Sequence, residues 1–160
     1  MHKIFGRAFA AMALAAAVTL STAAGAAPGN PFALVIGKWS GNGVMAMSDG
    51  SRERIACTAE HTGNAAQLNL VIRCKSGERD IRMTARLSAN NDRLMGFWEE
   101  KYFLAAGAIT GTVHDNKLNF SVSGNVNGEM TVTFSRTRQQ VLISARDVPL
   151  KSLSIDMRRR

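Results

Sequence analysis

Between Arg52 and Leu87 apolar and polar residues alternate so strictly that the segment reads as strands with one buried side. Ile55, Cys57 and Ala59 share a face; after a break at Gly63-Asn64, Leu68, Leu70, Ile72 and Cys74 share one again. Ile81, Met83, Ala85 and Leu87 repeat the pattern. A fold-back around Ala65-Ala66 sets Cys57 directly opposite Cys74, both on the apolar face. Two cysteines in an exported chain most often form one disulfide. This one would close a loop of about 18 residues and contribute roughly 3 kcal/mol. With no histidine at ligand spacing, the pair does not make a tetrahedral metal site.

The same rhythm continues along the chain. Residues 27–36 hold Pro28, Gly29 and Pro31 and are expected to be an extended lead-in without helix. The barrel domain is expected over 37–160. Lys38 to Ser48 alternates up to Asp49-Gly50, a strong hairpin signal. Asp80 to Ser88 ends at Asn90-Asn91-Asp92, and Arg93 to Phe103 places Leu94, Gly96 and Trp98 on one face. Ala108 to Val113 leads to an Asp115-Asn116 turn, then Leu118, Phe120 and Val122. Beyond a turn at Gly124 to Gly128 come Met130, Val132 and Phe134, then Val141, Ile143 and Ala145, and after Pro149, Leu153, Ile155 and Met157. About ten short strands with turns roughly every 8–14 residues predict an all-β fold. Sequential hairpins make it a single antiparallel meander, closed or nearly closed into a barrel, with a sandwich as second choice. Closure removes exposed strand edges.

Residues 1–26 have the composition of a secretory signal peptide: Lys3 and Arg7, an apolar run from Ala8 to Leu20, and Ala24-Gly25-Ala26 as cleavage site. The run is about 13 residues, short of the roughly 20 that span a bilayer. No cysteine near the cleavage point offers a lipid acceptor. The mature chain is therefore expected to be soluble, without a transmembrane segment, in the periplasm or secreted. Removing the leader lowers the formal charge from +8 to +6 and leaves about 134 residues, enough for one domain.

Gly37-Lys38-Trp39-Ser40-Gly41-Asn42-Gly43 resembles the G-x-W opening of calycin-type barrels, the lipocalins, avidins, fatty-acid-binding proteins and nitrobindins. The longer G-x-W-x-G-x-G form is similar to nitrobindins. The resemblance implies a first-strand tryptophan packed near the closed end against an arginine of the last strand, here Arg158 or Arg159 beside Trp39. The mature chain also resembles small exported proteins of Gram-negative bacteria, sharing the paired cysteines and a second segment of this kind at Gly96-Phe97-Trp98-Glu99; that likeness implies no activity. Nitrobindins hold haem through a histidine near the C-terminus. This chain has none after His114, so no cofactor is expected, and His61 and His114 read as loop or strand-end residues.

Local signatures of nucleophilic, nucleotide or dinucleotide chemistry are absent, and an enzyme is not expected. Adjacent Glu99 and Glu100 point to opposite faces of a strand and cannot act as an acid/base pair. If Trp98 is inward so is Glu100, to meet a ligand's cation, pair with an arginine, or sit at the rim. The inward methionines suit either core filling or an adaptable cavity. The inward small residues, among them Gly41 and Gly43, either let strands curve or leave a void. A cavity set follows from the inward face: Trp39, Met45, Leu70, Met83, Trp98, Glu100, Phe120 and Phe134. Outward on adjoining strands fall Arg54, Arg73, Lys75, Arg82 and Arg86, a basic wall interleaved only with Glu60 and Asp80. Export and scarce exposed aromatics argue against nucleic acid. Two readings remain. One is a barrel that binds a small apolar or amphipathic ligand; the other is an envelope-associated module with a filled core, acting through the basic wall on an anionic partner.

Overall fold

A computed structural model describes residues 30–160, so residues 1–26, where a leader is expected, lie outside the described residues. Ten strands form: β1 Gly37–Met47, β2 Arg52–Gly63, β3 Gln67–Ser76, β4 Arg79–Asn90, β5 Arg93–Glu100, β6 Ala105–His114, β7 Lys117–Gly124, β8 Asn127–Phe134, β9 Arg138–Arg146 and β10 Leu150–Arg159. Each pairs antiparallel with the next, and β1 pairs with β10, so the meander closes into a barrel and not a sandwich. Alternation becomes geometry here: Ile55, Cys57, Ala59 and His61 of β2 all point inward and are buried. Up-and-down topology puts the β1–β2, β3–β4, β5–β6, β7–β8 and β9–β10 loops at one end. The other four connections lie at the opposite end, together with the start of β1 and the end of β10.

Turn chemistry explains where strands stop. Asn91 and Asp115 adopt left-handed φ values of 56° and 51°, tolerable for residues whose short polar side chains bond locally. The inward glycines are not voids. A Cβ on Gly41 would stand 1.8 Å from the Asp156 carbonyl oxygen, and one on Gly107 would stand 1.7 Å from that of Ser123. Neighbouring backbone fills the space a side chain would take, and the strands coil tightly enough to close.

The segment before β1 differs from the extended form expected of it. Residues 31–35 make a turn, in which Ile36 N–H reaches the Phe32 carbonyl at 3.0 Å and Asn30 Oδ1 accepts from Phe32 N–H at 2.9 Å. The reason is burial: Phe32 and Val35 are fully buried, and the turn folds them into the barrel's end as a plug. Trp39 Nε1 donates to the Val35 carbonyl at 2.9 Å and ties plug to wall. Over the Trp39 ring, 4.3 Å from its centre, lies the guanidinium of Arg159. Its nitrogens donate to the carbonyls of Ile36 at 2.7 Å, Leu34 at 2.6 Å and Arg136 at 2.7 Å. Gly37 must be glycine: its φ is +133°, and a Cβ would stand 2.3 Å from an Arg159 nitrogen. The G-x-W opening is thus a glycine that leaves room for an arginine and a tryptophan that receives it.

Cys57 and Cys74 are register partners with Cα atoms 4.1 Å apart, and they form a disulfide. Replacing both with serine is expected to lower the unfolding free energy by about 2–3 kcal/mol, the hairpin already restraining part of the loop. Urea unfolding with and without reductant measures this, and equal midpoints would refute the pairing.

Candidate functional site

Large side chains crowd the plugged end and small or flexible ones line the other. Trp39, Phe32, Phe120, Leu68, Leu94 and Leu118 fill the lower barrel and are essentially inaccessible. Above them opens a cavity of about 410 Å³, with Ala85, Ala145 and Gly128 on its wall beside Met45, Met83 and Trp98. Ile72, Ile109, Met130, Val141 and Ile155 also line it, and Met47, Phe103, Val126, Val148 and Pro149 come from the strand ends and loops of the open end. The lining is overwhelmingly apolar and the volume falls within the usual range of ligand pockets.

Of the residues expected there, Met45, Met83, Trp98 and Glu100 lie on the cavity wall. Trp39, Leu70, Phe120 and Phe134 do not; they are packed into the core, and this corrects the expected cavity set. Alternation assigns a residue to the inside but not to a height along the barrel. Trp98 Nε1 is a buried donor with no partner among the described residues, carried by a side chain that lines the cavity. An indole N–H so placed gains from an acceptor oxygen.

Glu100 is buried, and its carboxylate is occupied. It accepts the backbone N–H groups of Arg82 at 3.0 Å, Tyr102 at 2.9 Å and Phe103 at 2.7 Å. It therefore caps the 101–104 loop at the rim instead of meeting an arginine side chain. The polar cluster at the mouth lies elsewhere: Arg79, on the cavity wall, bonds Glu53, which also accepts from Ser76 Oγ at 2.9 Å. The hydrogen bond from Arg79, followed by that from Ser76, holds the Glu53 carboxyl below its usual range.

His61 is not a loop residue. It continues the inward face of β2 two residues beyond Ala59 and is buried at the plugged end, its Nε2 3.3 Å from Gln139 Nε2. Burial pushes its pKa down to about 4, against the smaller opposing effects of the Glu60 backbone and the Gln139 amide. His114 is exposed at the end of β6, and neither histidine lines the cavity.

The basic residues Arg54, Arg73, Lys75, Arg82 and Arg86 are all exposed. Arg73 stands directly opposite Arg82, and Lys75 opposite Asp80. The short side chains of Ser40, Asn42, Ala56 and Thr58 leave an open depression lined also by Arg73, Lys75, Arg158 and Arg160, with Asp80 and Asp156.

No family model and no curated protein matches the sequence. Solved structures do match in shape. Rv2717c from M. tuberculosis superposes with a TM-score of 0.66 at 12% identity, over 81% of this chain and 94% of that one. The S-type phycobiliprotein lyase CPES from Guillardia theta superposes with a TM-score of 0.54 at 12% identity, over 81% of this chain and 89% of that one. At such identity the likeness is one of fold alone, that of a small ten-stranded antiparallel barrel.

Proposed function

We propose that this chain is an exported carrier that holds a small apolar or amphipathic molecule inside its barrel and performs no chemistry on it. The observation that carries the reading is the apolar cavity of about 410 Å³, open at one end and closed at the other by the plug. A filled interior would have offered nothing to bind. Methionines at Met45, Met47, Met83 and Met130 give the wall adaptable surface, which suits a flexible hydrocarbon more than a rigid polar ligand. The unpartnered Trp98 indole favours a guest with one acceptor oxygen over a pure hydrocarbon. Export rests on the leader-like composition of residues 1–26, and the disulfide is compatible with it.

Native mass spectrometry of protein purified from its own envelope is expected to show a co-purifying apolar molecule. In solution, an apolar fluorescent probe is expected to bind the parent protein. Ala145→Trp, which places an indole in the cavity, is expected to weaken the probe about tenfold or more. Equal probe affinity in both proteins would remove the carrier reading. A second reading, an envelope module that meets an anionic partner, draws on the exposed basic wall of Arg54, Arg73, Lys75, Arg82 and Arg86.

A further inference from the structure

Five large apolar side chains stand in solvent along one side of the barrel. Met95 and Phe97 lie on the outer face of β5; Tyr102, Phe103 and Leu104 form the tip of the β5–β6 loop. Phe97 is 73% exposed and Leu104 81% exposed. Large apolar groups gathered in this way mark a contact surface. The other exposed one among the described residues, Leu142 on β9, stands apart from them.

The tip is held in place. Glu100 takes the N–H groups of Tyr102 and Phe103, and Asn125 Nδ2 donates to the Leu104 carbonyl at 2.8 Å while its Oδ1 accepts from Ala106 N–H at 2.8 Å. Leu104 sits at φ 54°, a left-handed conformation that is costly for a leucine and is maintained by these bonds. Two polar side chains, the buried Glu100 and the bridging Asn125, thus serve to present apolar side chains outward, the reverse of what stability alone would select.

Basic residues border this stripe on one side. Arg86 is the register partner of Phe97, Arg82 receives the backbone N–H of Lys101, and Arg73 is the partner of Arg82. Glu99 is the acid inside the stripe, and it accepts a hydrogen bond from Thr84 at 3.1 Å. Aromatic and aliphatic side chains beside arginine and lysine suit the interface of an anionic lipid bilayer, where rings and acyl chains meet and headgroups carry negative charge. We infer that the 101–104 loop and the outer face of β5 dock on such a bilayer, the apolar groups entering the interface while Arg73, Arg82, Arg86 and Lys101 face the headgroups. The inference rests on the carrier reading, because Phe103 lines the cavity as well as the docking tip. A guest then passes between acyl chains and barrel without crossing open water.

Sedimentation with phosphatidylglycerol-containing vesicles tests the surface against pure phosphatidylcholine vesicles. Binding is expected only to the anionic set and is expected to fall with salt. Leu104→Ser is expected to weaken it about tenfold, and the double change Arg82→Glu with Arg86→Glu about thirtyfold or more. These side chains are exposed, so the barrel persists; unchanged binding of the apolar probe in vesicle-free solution verifies this. Variants that sediment like the parent overturn the docking surface and leave the carrier reading intact. No sedimentation with anionic vesicles, or a dimer split by Phe97→Ser without vesicle binding, overturns it too, the latter assigning the stripe to a second copy. Loss of probe binding on its own speaks to the cavity alone.

Discussion

Trp39→Ala is expected to lower the unfolding free energy by about 3–5 kcal/mol, the range for truncating a fully buried large aromatic. The plug explains why this site lies at the upper end of that range. The change removes the indole that bonds the Val35 carbonyl and the ring beneath Arg159, so plug and last strand lose their common support. Small domains have about 5–15 kcal/mol in all, so the variant keeps a thin margin. Arg159→Lys is expected to be destabilising as well, since an ammonium cannot reach three carbonyls and lie flat on the ring together. Urea titration of both variants measures this, and midpoints equal to the parent's would refute the clamp.

Acid is expected to weaken the barrel through His61. The unfolded chain takes up a proton there near pH 6.5, whereas the folded barrel resists until about pH 4. Stability is therefore full above pH 6.5, declines by about 3 kcal/mol as pH falls from 6.5 to about 4, and levels off for this group below that. Glu53 loses its contribution lower, below its ordinary value of 4.5. His61→Leu is expected to flatten the profile between pH 6.5 and 5 and to leave only the carboxylate part of the decline below it. An identical slope in parent and variant would show that the buried imidazole does not control it.

What was legible in the sequence and what was not divide along a physical line. Period-two alternation assigns a face wherever one side meets water, and it found the ten strands, the Cys57–Cys74 register and the outward placement of Arg73 and Arg82. The G-x-W likeness named Arg159 as one of two partners for Trp39. Height along the barrel follows from shear and loop position, which no local pattern encodes. Leu70, Phe120 and Phe134 were therefore placed on the inside but at the wrong level. His61 carried a signal that was passed over, its position on the inward phase of β2 two residues after Ala59. The plug was hidden because Pro31 and its neighbours have the composition of a linker, and only the finished barrel gives Phe32 and Val35 somewhere to go.

The meeting of Arg159 with Trp39 also orders events in time. The residues that seal the floor come from opposite ends of the described chain, and the β1–β10 seam pairs Trp39 with Arg159 itself. A chain that has yet to dock β10 can build nine strands, but it has two raw edges and an unsealed base. Closure waits for β10, so the barrel is committed to its native shape only when that strand docks against β1.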